Sequence, residues 1–412
     1  MRIVFLSHTA MGGAFVVGSH HLAKALSRAG HDVTHLSAPV SLPHLALALK
    51  DTFVRTRILR WLRGGEDFEG VRDLVPFTPL PWNLARLSPS LMTGYSRLML
   101  PAPLRSLRSL GLRTADYLVI DEPRFAGVAV KNCAATIIYR ATDLYSALRR
   151  DPRIIDAELR LCDRASAVVA TSEPVASHLE QLSGRSVRVI ANGVEFDHFA
   201  RRTIPPAAPI PWLPGRREER AVYVGSFDSR FGRHAFRSAV TTLPDRYFIL
   251  IGPGSRRVAA DFPRPNVFSL GAVAYASLPG ILHQCAVGLL PLSEDASNSG
   301  RSPMKLYEYV AAGLCVAATS THELRRRRLP TLILAESDSQ FGATVRQAFE
   351  RAGNESLLEQ AQTSARRESW ECKAQDLMSA MQASRALRGD EPGQCVPQRL
   401  GKASPVAGRQ GP

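Results

Sequence analysis

Three residues in the stretch Ser299-Gly300-Arg301-Ser302-Pro303-Met304-Lys305-Leu306-Tyr307-Glu308-Tyr309-Val310-Ala311-Ala312-Gly313 have types and a spacing suited to holding a nucleotide diphosphate. The stretch reads as a loop turning into a short helix. Ser302 is suited to the N-cap, Pro303 to the first helical position, and Gly313 to the stop. Lys305 then falls in the first turn, where a cation opposes the helix dipole by about 0.3–1 kcal/mol. Glu or Gln would close a capping box there. An ammonium group beside free backbone N–H groups makes sense if an anion also sits at the helix start. Glu308 lies one turn deeper on the same face, where a carboxylate can accept from the two hydroxyls of a ribose. The plainer alternative is a surface helix with an ordinary Lys–Glu pair.

The elements around this stretch alternate. Arg2–Leu6 reads as a buried strand, followed by a turn with His8, Gly12 and Gly13, a helix over about 15–29 stopped by Gly30, and a second strand at 31–36. Strand, Gly-rich turn, helix, strand opens a doubly wound α/β domain. Gly12-Gly13 lets backbone approach a ligand, although a plain tight turn fits equally well, and His20 and His21 read as packing or solvent residues. Further strands are expected at 117–120, ending in Asp121-Glu122, at 136–139, ending in Arg140-Ala141-Thr142-Asp143, at 167–170 and at 187–190. Polar residues thus gather past the carboxyl ends of strands, where open α/β sheets bind ligands. A Pro- and Arg-rich stretch at 201–217 reads as a linker. A second series then begins at 221–224 with the turn Gly225-Ser226-Phe227, and continues through strands at 247–251, 266–271, 287–290 and 314–318. A helix is expected from Trp370 to Leu387, and the tail 389–412 reads as disordered.

Two segments, 44–63 and 84–113, interrupt the alternation and mix leucines with arginines. They read as basic amphipathic helices, the second broken at Pro101 and Pro103. Helices that cover the sheet with arginines in solvent would give the same pattern as a patch lying on an anionic membrane. The 412-residue chain carries a net charge of +15, mostly from arginine, and is 45% hydrophobic. That balance favours anionic partners. Nucleic acid is not favoured, because no recognition-helix, zinc-finger or aromatic RNA-binding signature is present. Cys133, Cys162, Cys285, Cys315, Cys372 and Cys395 show no metal or pairing spacing and read as reduced thiols of a cytoplasmic protein. No stretch approaches the roughly 20 apolar residues of a membrane span.

The run Ser302 to Gly313, followed by a small apolar strand, resembles the donor-nucleotide motif of the GT-B glycosyltransferases. Asn192-Gly193-Val194 before the linker, the Val224-Gly225-Ser226 turn, and the spaced Leu270-Gly271, Leu278-Pro279 and Pro291-Leu292 belong to the same resemblance, which covers most of residues 1–385. Within GT-B the chain is most similar to the xanthan-type glucuronosyltransferases, sharing Tyr139-Arg140-Ala141-Thr142-Asp143 and Ser302-Pro303-Met304-Lys305-Leu306 in close form.

The resemblance implies an α/β fold of GT-B type. Two Rossmann-like doubly wound domains face a cleft, 1–200 for the acceptor and 218–370 for the nucleotide-sugar, and a C-terminal helix at 371–388 crosses back. It implies transfer of a sugar, from a UDP-sugar, to a hydroxyl of a glycan or lipid-linked acceptor, in cell-surface or exopolysaccharide synthesis. The transfer would be inverting, without metal or cofactor, at the inner face of the plasma membrane. Asp143 would be the catalytic base, with Asp121 and Glu122 the next candidates; read without the resemblance, Asp143 fits equally an N-cap or a partner for Arg140. Ser302 and Lys305 would hold the diphosphate, Glu308 the ribose, and Gly225 and Ser226 the donor turn, with Met304 and Phe227 packed near the base. Gly12, Gly13, Asp121 and Glu122 would face the acceptor or the cleft, with His8 a further candidate base. The chain departs from the pattern at three points. Gly300 stands where many retaining members carry a second Glu, Ala272 where the glucuronosyltransferases carry an acid, and Glu308 where they carry Gln. The same architecture also serves nucleotide-sugar epimerases and inactive accessory subunits.

Overall fold

The computed structural model describes residues 1–13, 16–85, 87–101, 105, 115–131, 136–200 and 213–386. Most of the expected linker, the expected tail 389–412, Cys133, Cys395 and nearly all of 102–114 lie outside the described residues. The first lobe contains β1 (Arg2–Leu6), β2 (Asp32–Leu36), β3 (Val40–Ser41), β4 (Glu66–Phe68), β5 (Val71–Leu74), β6 (Phe77–Thr78), β7 (Tyr117–Ile120), β8 (Thr136–Ala141), β9 (Ala167–Ala170) and β10 (Val187–Val189). Its main sheet runs β10-β9-β8-β7-β1-β2-β5-β4, parallel except for the β4–β5 pair, while β3 and β6 form a separate small ladder.

The central strands β1, β7 and β9 are apolar along most of their length because helices cover both faces. Val4, Leu6, Leu118 and Ile120 point into one core. The alternate residues Ile3, Phe5, Tyr117 and Val119 point into the other, as a period of two requires. The second core also receives α1 (Gly18–Arg28) and the C-terminal helix Trp370–Ala386.

The second lobe contains β11 (Arg220–Val224), β12 (Tyr247–Ile251), β13 (Val267–Gly271), β14 (Val287–Leu290), β15 (Cys315–Thr319) and β16 (Leu332–Ala335). They form one parallel sheet in the order β13-β12-β11-β14-β15-β16. This is a doubly wound order, in which the carboxyl ends of β11 and β14 flank the switch point where a ligand crevice opens. Leu213, at the end of the expected linker, is already buried in this lobe's core.

The chain passes between the lobes twice, side by side. Val194 N–H donates to Glu368 O (3.0 Å) and Trp370 N–H to Val194 O (3.1 Å). The C-terminal helix therefore returns to the first lobe. Trp370 is 1% exposed and stacks on His21 at 4.9 Å between ring centroids, with 8° between planes. His20 and His21 are thus core residues of α1.

The first basic segment is two helices, α2 (Leu42–Leu47) and α3 (Thr52–Leu62). The break is made by Asp51, whose carboxylate accepts from the N–H groups of Phe53 (2.8 Å) and Val54 (3.1 Å). The expectation that the α3 arginines sit in solvent is corrected at Arg60. It is 3% exposed and pairs with the fully buried Asp73, because a carboxylate buried in the sheet needs a counter-charge. Of the second segment, the described residues form short helices at Trp82–Ala85 and Pro89–Gly94 and a 3₁₀ helix at Tyr95–Leu98.

Trp370→Ala removes a fully buried indole from the contact between the crossing helix and α1. It is expected to lower stability by about 3–5 kcal/mol in a denaturant titration. A loss below about 1 kcal/mol would show that the crossing helix contributes little to the first lobe.

Candidate active site between the two lobes

The donor side is built on the helix Met304–Ala311. It begins one residue later than the expected Ser302 cap allows. Pro303 holds the N-cap position, and no side chain caps the helix. Ser302 is committed elsewhere. Its hydroxyl accepts from Asn192 N–H (3.2 Å), and its carbonyl accepts from Asn192 Nδ2 (3.0 Å). The residue expected to close the helix start therefore ties it to the first lobe. Tyr309 accepts from Val224 N–H through its hydroxyl (2.8 Å) and so fixes the same helix to β11. The turn after β11 then carries Gly225 and Ser226 to the cleft. It lies against Gly252, whose φ is +136° and whose Cβ, were there one, would stand 2.0 Å from Gly225 O. Only glycine lets the two turns approach so closely.

Between the lobes lies a cavity of about 490 Å³. From the second lobe its wall receives Gly225, Ser226, Tyr223, Tyr275, Ser302, Met304, Lys305, Arg230 and Arg301. Lys305 Nζ stands 2.6 Å from Glu308 Oε2. Glu308 itself is 3% exposed and sits behind Lys305, off the wall. Phe227 is also off the wall, packed between Tyr223 (5.0 Å) and Phe231 (5.1 Å).

From the first lobe the wall receives His8, Thr9, Asp121, Thr142, Asp143 and Asn192. These are the carboxyl ends of β1, β7, β8 and β10, so parallel strands bring residues far apart in sequence to one edge. Asp143 accepts from the Thr142 hydroxyl (3.2 Å). Burial raises its carboxyl above the ordinary aspartate value, against the pull of Arg301 and Arg230 across the cleft. Asp143 is not the partner of Arg140. That guanidinium, 1% exposed, donates to Asp121 Oδ2 (2.7 Å) and to Asn192 Oδ1 (3.2 Å). Burial pushes the Asp121 carboxyl up to about 6, although Arg140 pulls it down. Burial likewise lowers His8 to about 4 and leaves it neutral at neutral pH.

Two acceptor-side candidates stand away from the wall. Burial raises the Glu122 carboxyl, but Arg124 and Arg149 outweigh it and hold it at about 2. It faces those two arginines, with Arg124 Nη2 at 3.0 Å, not the cavity. The Gly12-Gly13 turn lies under β4 and α3. A Cβ on Gly12 would meet Phe68, and one on Gly13 would meet Phe53. The glycines serve close packing of the turn under aromatic rings.

The structure adds Arg230, Arg301, Asn192, Tyr223 and Tyr275 to the candidates. Asn192 and Arg301 lay inside stretches already singled out. Arg230 carried no signal, because one arginine five residues past a turn cannot be told from the others in so basic a chain. Among the described residues no group of three or more His, Cys, Asp or Glu side chains converges as a metal ion would require.

Two parallel α/β lobes, a cleft at their facing carboxyl edges and a helix that crosses back define the GT-B glycosyltransferases. The chain has this GT-B fold and resembles the xanthan-type glucuronosyltransferases over its first lobe and the group 1 glycosyl transferases over its second. Residues 5–171 match the family model for the N-terminal domain of the glucuronosyltransferase GumK, and residues 218–350 that for glycosyl transferases group 1. The chain is 25% identical over 263 residues to the putative teichuronic acid biosynthesis glycosyltransferase TuaH of Bacillus subtilis, a match covering 59% of this chain and 66% of that protein. Among solved structures, the sucrose-phosphate synthase of Thermosynechococcus elongatus aligns with a TM-score of 0.67 at 13% identity, over 94% of this chain and 100% of that one. HepE of Anabaena, in complex with UDP and glucose, aligns with a TM-score of 0.62 at 15% identity, over 93% of this chain and 100% of that one.

Arg140→Leu strands Asp121 in the interior without a counter-charge. The expected loss is about 3–5 kcal/mol at about pH 7. The folded Asp121 carboxyl has a higher pKa than the unfolded one, so its protonated form contributes stability that fades as pH rises through about 6. The deficit should therefore shrink at about pH 5 in urea melts. A deficit equal at both pH values would assign the loss to packing.

Proposed function

We propose that this protein transfers a sugar from a UDP-sugar to a hydroxyl of a glycan or lipid-linked acceptor, with inversion and without a metal, in the synthesis of a cell-surface or exopolysaccharide. The observation that carries this reading is the composition of one cavity wall. A carboxylate on the first lobe, Asp143, faces a cationic set on the second, made of Arg230, Arg301 and Lys305. In the reaction, the acceptor oxygen forms a bond to the anomeric carbon as the bond from that carbon to the diphosphate oxygen breaks. Asp143 takes the hydroxyl proton, and the electron pair leaves with UDP. The raised carboxyl of Asp143 makes it a better base than an ordinary aspartate. The three cations and the first-turn N–H groups of Met304–Ala311 stabilise the charge that grows on the leaving group. Glu308 accepts from the ribose hydroxyls once Lys305 turns to the diphosphate.

Inversion is favoured by what stands at position 300. The resembled retaining enzymes place a carboxylate there, whereas Gly300 is pressed against the first lobe. A Cβ on it would meet Leu144 Cγ at 2.8 Å and Val175 Cγ2 at 3.0 Å, and its carbonyl accepts from Ser172 Oγ (2.7 Å). UDP is favoured because the similar HepE structure is a complex with UDP and glucose. The polysaccharide role is favoured by the likeness to a putative teichuronic acid glycosyltransferase.

A peripheral seat on the anionic inner leaflet is favoured by the net charge of +15 and by Leu42, Leu45, Leu47 and Leu62, all 44–65% exposed on α2 and α3. Among the described residues no helix is long and apolar enough to cross a membrane.

Asp143→Asn should bind UDP as the wild type does, while transfer from radiolabelled UDP-sugars into a membrane lipid extract falls by about 10²–10⁴-fold. Normal transfer would place the base elsewhere. Lys305→Ala should keep its melting temperature and weaken UDP binding by about tenfold or more in calorimetry. Unchanged UDP affinity would remove the lysine from the donor site. The wild-type pH–rate profile should show an acidic limb above the ordinary aspartate range, since Asp143 is raised and must be unprotonated to act.

A further inference from the structure

The charged part of the cavity serves the transfer step, but the second lobe also gives the wall a stretch without charge, made of Val273, Tyr275 and Leu278. These residues follow β13 and rest on that lobe's core. On the helix Met304–Ala311, Lys305 comes first and Glu308 one turn deeper. Tyr275 is close enough to Glu308 for that carboxylate to act on its phenol. A diphosphate at Lys305 and a ribose at Glu308 would therefore be followed by Tyr275, and the apolar stretch falls to whatever the ribose carries on its other side.

Tyr275 is fixed from several directions. Its ring lies flat on His198, with 4.9 Å between centroids and 14° between planes. Phe199 meets it edge-on at 5.6 Å and 87°, and the His21 ring stands 5.8 Å away. The Tyr275 carbonyl accepts from His198 Nε2 (3.4 Å). Burial, and then Glu308 and Glu195, raise the phenol well above the ordinary tyrosine value, so its hydroxyl stays protonated beside two carboxylates. Glu195 in turn meets His21 Nδ1 at 3.4 Å and Arg28 Nη2 at 3.6 Å. Glu195 and His198 belong to the stretch directly after the crossing at Val194, and His21 to α1 of the first lobe. The ring is thus gripped from the crossing and from the other lobe as well as by the lobe that carries it. A side chain held on its face, its edge and its carbonyl cannot swing aside to deepen the cavity without losing those contacts together.

We propose that Tyr275 is the specificity-determining residue for the donor's base, held in place by His198 as a positioning residue, so that this part of the cavity takes a pyrimidine and turns away a purine. This rests on the transferase reading and deepens it, because it names the residues that set the size of the base. A pocket rejects a larger ligand only when its wall does not yield, and a stacked, hydrogen-bonded tyrosine yields less than a free one.

The test is calorimetric binding of UDP and of GDP to the full chain, with circular dichroism melts for every variant. Wild type should bind UDP about tenfold or more tighter than GDP. Tyr275→Ala should bring the two within about threefold of each other through a gain in GDP affinity. His198→Ala frees the ring and should lower the preference for UDP by about threefold or more, whereas His198→Phe keeps the stack and should restore it. Equal weakening of both nucleotides in folded Tyr275→Ala, with their ratio kept, would reduce the ring to a structural contact and overturn the assignment. A wild type that binds GDP as tightly as UDP would overturn it too. A folded wild type that binds neither nucleotide would sink the transferase reading instead, so the two failures are separable.

Discussion

One buried guanidinium holds the two halves of the site in register. Arg140 leaves the sheet at the end of β8 and spends its hydrogen bonds on Asp121, at the end of β7, and on Asn192, beyond β10. Asn192 then binds both the hydroxyl and the carbonyl of Ser302, directly before the helix that carries Lys305. A charge this deeply buried is tolerable only when paired and hydrogen-bonded, so its partners are under strong constraint. The chain of contacts from Asp121 to Ser302 ties the cavity wall of the first lobe to the start of the helix Met304–Ala311.

The electrostatics of the cleft follow from which charges are neutralised and which are not. Glu122 is satisfied by two arginines and held low, so it behaves as a fixed structural anion. Asp143 has a hydroxyl neighbour and more distant cations, so burial wins and its carboxyl is raised. Two acids on neighbouring loops thus take opposite roles from environment alone, a pattern that marks acid–base assignments in enzymes generally. On the opposite wall, Arg230 is held by Asp228 and Lys305 by Glu308. Each cation is oriented by a carboxylate that is itself off the cavity or at its rim.

Most of the architecture was legible in the sequence, because parallel strands covered on both faces appear as short apolar runs. Tyr117–Ile120, Ala167–Ala170, Tyr247–Ile251 and Val287–Leu290 stand at the residues expected of them. Lys305 was legible because it breaks a local rule at a helix start. The Ser302 cap misled for the opposite reason, since it obeys a local rule that a contact from the other lobe overrides. Arg60 could not be placed from sequence. A segment mixing leucine and arginine at helical spacing looks the same whichever way the arginines face, and Arg60 turns inward to meet Asp73, Glu66 and the Met11 carbonyl. Arg140, the pivot of the site, looked like a partner for Asp143, three residues away, and became a partner of Asp121 only once β7 and β8 were side by side.

The paired passage of the chain at Val194 and Trp370 has a mechanical corollary. Two adjacent crossings bonded to each other act as an axle, leaving one easy direction in which the halves can swing apart. Any swing about that axle must then unfasten contacts away from it, among them Ser172 with Gly300, Arg326 with Glu173 and Arg150 with Asp295. Gly300 is thereby a latch, and how readily the halves part depends on how firmly that small contact holds.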